Sequence, residues 1–291
     1  LALEKADLIN RRKAIASKAI KSFRDGGYYA PLRIYERTKA DDLYRAYTQF
    51  QDSAVEIFGQ EQRFKTHLLA GWLADVVRNP RMLDVVEDLI GPNILCWSTG
   101  FFGKAANSEG RVGYHQDACV NFVEPNDDVI HVWLALRPTT TDNGCLRVLP
   151  RSHLGDVIPI SPSGGGKEML RTGTLTETGW QAALDKDEHE FVDLVLDAGE
   201  ASLHHHCTVH GSGPNRSGFH RLGVSITYMT TAAHNPKFAV DSATLVRGKD
   251  DYGHFELEPA PDADFSSAAI AAFQRATTTP GGEGVGAEAV Q

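Results

Sequence analysis

Tyr114-His115-Gln116-Asp117 lies among short strand-like runs in the middle of a 291-residue chain, and the reading of the fold starts there. In an extended strand side chains alternate faces, so His115 and Asp117 project to one side and Gln116 to the other. Two candidate metal ligands then come from one strand. A third imidazole from a distant strand would complete a face of two histidines and one carboxylate. About three positions of an octahedral metal would stay open, as non-haem iron(II) requires. His210, in His210-Gly211-Ser212, is the candidate for that third position.

The spacing carries little weight alone. With 12 histidines and 38 acidic residues in the chain, about 1.6 His-x-acid pairs arise by chance, the usual weakness of a short motif. The chain has two. The second, His254-Phe255-Glu256, has no partner histidine with a supporting motif nearby, and a lone pair of this kind is more often a surface feature than a ligand set.

What surrounds the motif is more informative. After Pro92 the pattern becomes strand-like: Ile94 to Lys104, Val112 to Phe122, Val129 to Pro138 and Leu146 to Leu149 are short β runs separated by Asn, Gly, Asp and Thr clusters. Asp156 to Ile160, Phe191 to Leu196, Ala201 to Val209, Arg221 to Met229 and Lys237 to Val246 follow. This succession predicts a mainly β fold with flanking α-helices, a double-sheet jelly roll or cupin-like barrel, in which inward residues from well-separated strands can meet.

Upstream, apolar residues recur at helical spacing from Leu3 to Phe23, with Asp25-Gly26-Gly27 as the stop. Tyr28 to Tyr35 reads as a strand, and Asp41 to Ile90 as mainly helical. Pro80 separates two clear helices there, and Gly91-Pro92 ends the second. These helices read as a packing layer. Residues 161–190, with Gly164-Gly165-Gly166 and no sustained periodicity, read as a cover over the barrel mouth. From Thr277 onward the composition predicts a disordered tail. The expected organisation is one domain over residues 1–276, with a helical layer to about 92 and a β core over about 93–246.

The composition, 42% hydrophobic and 23% charged, is that of a globular protein. A net charge of −9 argues against a general nucleic-acid binder, because neutralising phosphates needs a basic surface. Cys96, Cys119, Cys145 and Cys207 lack Cys-x-x-Cys spacing, which speaks against a disulfide framework or a zinc ribbon and favours reduced thiols. No apolar run reaches the length of a membrane span, and the start of the chain lacks a secretion-signal layout. The expectation is a soluble cytoplasmic protein. Its oligomeric state is not written in the sequence.

Between His115 and Tyr228 an ordered set of blocks resembles the phytanoyl-CoA dioxygenase family of iron(II)- and 2-oxoglutarate-dependent oxygenases. The blocks are His115-Gln116-Asp117, Trp133-Leu134-Ala135-Leu136, Asn143-Gly144-Cys145-Leu146, Leu149-Pro150-Arg151-Ser152-His153, and His210-Gly211-Ser212-Gly213-Pro214-Asn215-Arg216-Ser217 followed by Arg221. Asp25-Gly26-Gly27-Tyr28-Tyr29 and Asp88-Leu89-Ile90-Gly91-Pro92 extend the likeness upstream. The resemblance implies a double-stranded β-helix holding one iron, with His115, Asp117 and His210 as its ligands.

It also places Arg221, eleven positions after the distal histidine, against the remote carboxylate of 2-oxoglutarate. There a guanidinium grips in a two-pronged way that lysine cannot imitate. Ser212 matches a hydroxyl assisting that carboxylate, and Trp133 and Trp97 match positions beside the cosubstrate. The family's cosubstrate lysine has no secure counterpart, Lys65 and Lys104 being the candidates. Arg151 departs from the family's Pro-Gly-Ser-His. Because Asp117 keeps the carboxylate, halogenation is disfavoured. The implied reaction joins O2 and 2-oxoglutarate to oxidise a C–H bond of a small-molecule substrate, releasing succinate and CO2. Hydroxylation is the leading outcome, with desaturation, epoxidation, cyclisation and stereoinversion sharing the same ligands.

Some alternatives stay open at the level of residues. His204, His206, Thr208 and His210 would share one face of a continuous strand, so His204 and His206 rival His210 as the third ligand. A non-catalytic cupin-like metal or ligand sensor would need no cosubstrate anchor, and Ser212 and Arg221 speak against it. Zinc-dependent hydrolysis at the same face would proceed without O2 or 2-oxoglutarate.

Overall fold

The computed structural model describes residues 14–161, 174–175 and 190–278. In chain order its elements are α1 (Ser17–Gly26), β1 (Tyr28–Arg33), α2 (Arg37–Phe58), α3 (Gly71–Val77), α4 (Pro80–Ile90), β2 (Ile94–Lys104), β3 (Val112–His115), the single turn α5 (Ala118–Asn121), β4 (Val129–Ala135) and β5 (Leu146–Val148). There follow β6 (Ile160–Ser161), β7 (Thr174–Leu175), β8 (Val192–Leu194), β9 (Glu200–His205), β10 (His210–Ser212), β11 (Arg221–Thr230), β12 (Ser242–Arg247), β13 (Glu256–Leu257) and α6 (Ser267–Thr278). Most of the glycine-rich stretch expected to cover the barrel lies outside the described residues, as does the tail beyond Thr278.

Two sheets form the β core. The larger runs β1-β9-β4-β11-β2-β12-β13 and the smaller β3-β10-β5-β8. The period-two pattern of β4 and β11 explains how the large sheet is used. Ile130, Val132 and Leu134, with Leu222, Val224, Ile226 and Tyr228, join one apolar cluster with the helices, including Phe23, Phe50, Leu73, Val76, Leu83 and Val86. The residues between them, His131, Trp133, Arg221, Ser225 and Thr227, line a pocket on the other face. One face is thus an apolar bed for helices and the other is kept for polar chemistry.

The helix boundaries follow local signals. Gly27, with φ +81, lets the chain leave α1, its N–H donating to Phe23 O. Pro80 opens α4 where its missing N–H costs nothing, and Asn79 caps the helix by accepting from the Met82 N–H at 3.1 Å. The C-terminal helix α6, absent from the sequence reading, buries Ala269, Ala272, Phe273 and Ala276. Its signal was the alanine-rich run after Ser267, a strong helix former. No helix among the described residues is long and apolar enough to cross a membrane.

A buried polar network ties the chain after β13 to the turn preceding α3. Lys65 donates to Glu258 Oε1 and, at 2.8 Å, to Ser242 O. Thr244 Oγ1 donates to Glu258 Oε2 at 2.7 Å, and His67 Nε2 stands 3.5 Å from the same oxygen. Lys65, one of the two candidate cosubstrate lysines, is therefore committed to Glu258. Burial alone would raise the Glu258 carboxyl, but the Lys65 charge and the His67 hydrogen bond hold it down to about 2.

A folded-state value below the ordinary one of 4.5 means that this stabilisation is complete above pH 4.5. It is lost as pH falls towards 2. Glu258→Ala strands a buried ammonium and is expected to cost ~3–5 kcal/mol at pH 7 by denaturant unfolding. The difference from wild type should shrink as pH falls through that window. Equal stabilities at pH 7 would contradict the assignment.

Candidate metal centre and cosubstrate pocket

His115 and His210 come together because β3 and β10 pair antiparallel with those two residues in register. Their ring centroids lie 4.1 Å apart. His115 Nδ1 is 2.9 Å from Gly113 O and His210 Nδ1 is 2.9 Å from Thr208 O. A carbonyl can only accept, so each Nδ1 carries the hydrogen and each Nε2 keeps its lone pair, the tautomer a metal-ligating histidine adopts.

Asp117 reaches these nitrogens by a route the alternation rule did not foresee. The strand ends at His115, and Asp117 takes helical angles (φ −62, ψ −26) at the head of α5. Gln116 still points away, its Nε2 donating to Cys207 O at 2.7 Å and its Oε1 accepting from the Ile158 N–H at 2.7 Å. Asp117 Oδ1 stands 3.5 Å from His115 Nε2, and Oδ2 stands 3.6 Å from His210 Nε2. Burial alone would raise this carboxyl, yet the imidazoles of His131, His210, His115 and His204 hold it well below the usual range. The donor atoms of His115, Asp117 and His210 lie within 4.8 Å of one another. Two bare imidazole nitrogens and one carboxylate fit a divalent metal of the iron type.

The expectation that His204, His206, Thr208 and His210 share a strand face is corrected. β9 ends at His205, the Cys207 N–H turns back to His205 Nδ1, and His210 belongs to the other sheet. His204 lines the pocket, whereas His206 is fully buried beside His131. His131 was missed, although it alternates with Ile130 and Val132 and pairs in register with His204. Asp117, His131 and His204 make a second set of donor atoms within 4.8 Å. His254, the histidine of the rival motif, faces Ala233 O instead, and Glu256 is exposed.

Arg221 opens β11 on the inner face and is 2% exposed. Its Nη1 donates to Phe102 O at 3.4 Å, its Nε has no partner, and its guanidinium lies 4.5 Å over the Trp133 ring. Burial pushes it down to about 10, with Cys145 the opposing influence, so it is a cation at neutral pH. No carboxylate pairs with it among the described residues. A buried charge left this way is costly unless a ligand supplies the counter-charge.

Gly223 makes room for the ring beneath Arg221: a Cβ there would stand 2.1 Å from Trp133 Cζ2. Ser212 lines the same pocket, its Oγ accepting from Lys104 Nζ at 2.7 Å. Trp97 does not line it. The β2–β11 register skips from Ser98 to Cys96, so Trp97 is the extra residue of a bulge. Its ring packs with Leu95, Val129 and Met229, and its Nε1 donates to Asp241 at 2.9 Å. Arg151 takes the left-handed φ of +67 at the position where the family pattern has glycine.

The chain matches the phytanoyl-CoA dioxygenase (PhyH) family profile over residues 12–223. It is 30% identical over 171 residues to a probable alpha-ketoglutarate-dependent hypophosphite dioxygenase of Stutzerimonas stutzeri, covering 57% of this chain and 56% of that one. It is 30% identical over 162 residues to the human peroxisomal phytanoyl-CoA dioxygenase, covering 53% and 45% respectively. The chain thus spans about half the length of the curated relatives it matches. Among solved structures, the non-heme monooxygenase ThoJ superposes with a TM-score of 0.77 at 32% identity, over 93% of this chain and 98% of that one. ThoJ is also known as a nickel complex. The pocket and these matches agree: the chain belongs to the phytanoyl-CoA dioxygenase family of non-haem iron and 2-oxoglutarate oxygenases.

Proposed function

We propose that this protein inserts one oxygen atom from O2 into an unactivated C–H bond of a small organic molecule, as a hydroxylase in specialised metabolism. The single observation that carries this reading is the buried, carboxylate-free Arg221 guanidinium, reached through the same pocket as His115, Asp117 and His210. A metal-binding sensor or a hydrolase has no use for such a group, whereas 2-oxoglutarate requires one.

His115, Asp117 and His210 would hold iron(II), which supplies the oxygen-activating chemistry that turns 2-oxoglutarate and O2 into succinate and CO2. Arg221 would pair with the remote carboxylate of the cosubstrate, Ser212 would add a hydrogen bond, and Trp133 would wall one side. With its charge met by a dicarboxylate, Arg221 orients the keto end of that molecule towards the histidines. Phe64, Phe102 and Val120 line the same pocket with Asn121 and Arg63. This wall excludes water and favours a substrate with a hydrophobic body.

The test is a screen of candidate small molecules for succinate release that depends on iron(II), 2-oxoglutarate and O2, with mass analysis under labelled O2. The expected product is one labelled oxygen heavier than the substrate. Product formation without O2 or 2-oxoglutarate would contradict the reading.

A further inference from the structure

Asp117 stands between the two sheets. Its ligand partners His115 and His210 belong to the small sheet, while His131 and His204, on β4 and β9 of the large sheet, approach from the opposite side. His131 Nδ1 lies 3.2 Å from Asp117 Oδ2 and His204 Nε2 lies 3.3 Å from the same oxygen. Oδ1 is the oxygen nearer His115. We infer that His204 is a positioning residue: its Nε2–H donates to Oδ2, the oxygen that also stands 3.6 Å from His210 Nε2, and so holds the Asp117 carboxylate in place between His115 and His210. The inference rests on reading His115, Asp117 and His210 as the ligands.

Hydrogen bookkeeping supports the brace. His131 Nδ1 also lies 3.2 Å from Thr227 Oγ1, and His131 Nε2 lies 2.9 Å from His206 Nδ1. Both His131 nitrogens are therefore engaged elsewhere, and His131 stands beside the carboxylate without a hydrogen bond to it. His204 donates through Nε2. The two histidine nitrogens in this group that have no partner are His204 Nδ1 and His206 Nε2. With its hydrogen on Nε2, His204 leaves Nδ1 as a bare acceptor, the less costly kind of atom to leave unmet.

A rival occupant for the same atoms is a second cation held by Asp117, His131 and His204. Two dications would then share one carboxylate, with no further anion from the described residues to offset their repulsion. The brace needs no such compensation. Partners behind a metal ligand typically contribute 10–100-fold in metal affinity.

Amide substitutions separate these readings, since asparagine places a polar atom where Nδ1 stood and glutamine where Nε2 stood. Nickel(II) is titrated calorimetrically into metal-free wild type, H204Q, H204N and H204A. One ion per chain is expected in the wild type. H204Q should stay within about threefold of wild type, and H204N and H204A should bind about 10–100-fold more weakly. H204N and H204A both remove the donor, so if one fails to fold the other decides. Equal affinities in H204Q and the two donor-less variants, the reverse order, or two ions per wild-type chain would overturn the brace. A wild type that binds no metal would remove the ligand assignment along with it.

Discussion

Alanine at His115, Asp117 or His210 is expected to lower substrate-dependent succinate formation by more than about 100-fold, beyond the 10–100-fold that a partner behind the ligands would cost. Each substitution removes one of three donors whose atoms converge within 4.8 Å. A metal left with two protein ligands is held weakly and without defined open positions. The folded state should survive His115→Ala and His210→Ala, because their outward hydrogen bonds go to the carbonyls of Gly113 and Thr208 in neighbouring strand and turn backbone. Asp117→Ala should also leave His204 Nε2 without its acceptor. Circular dichroism would confirm folding, and a coupled succinate assay would read the loss. Retained turnover in all three variants would show that the ligands lie elsewhere.

Arg221→Met is expected to weaken 2-oxoglutarate use by ~2–5 kcal/mol, the cost of removing one member of a buried charge pair. That corresponds to about 30-fold to several thousand-fold in apparent affinity. Its effect on the cosubstrate-free protein should have the opposite sign. In that state the wild type carries a 2% exposed guanidinium whose partners among the described residues are Phe102 O and the Trp133 face. An apolar side chain of similar length avoids the desolvation, so the variant should melt at least as high as wild type. Added 2-oxoglutarate should raise the wild-type midpoint by linkage and leave that of the variant unchanged. Lysine at this position should not restore binding, since it lacks the planar fork. An unchanged affinity for 2-oxoglutarate in Arg221→Met would remove Arg221 from the site.

The parts of this arrangement that could be read in the sequence are those governed by local pattern. The long strands β2 and β11 announce themselves by alternation, and the ordered blocks around His115, His210 and Arg221 carry the family likeness. The details that could not be read are those where the chain breaks its own period. Asp117 reaches the site from a helical turn, because α5 begins where alternation predicted more strand. Trp97 packs instead with Leu95, Val129 and Met229, next to a bulge between Ser98 and Cys96 that alternation cannot announce. His206 and His210 part company because the chain turns after His205, and a turn closed by His205 Nδ1 has no signature in hydrophobic pattern. His131 escaped notice for another reason: a histidine in an otherwise apolar strand gains meaning only when its cross-strand partner, His204, is known.

The most direct measurement is an anaerobic titration of metal-free protein with iron(II) and then 2-oxoglutarate, followed by the absorption that arises when the keto acid chelates the metal. The account predicts one iron per chain and a saturable band that needs metal and cosubstrate together, lost in His115→Ala, Asp117→Ala and His210→Ala and displaced to far higher 2-oxoglutarate in Arg221→Met. A band of undiminished strength in the ligand variants, or none in the wild type, would contradict it.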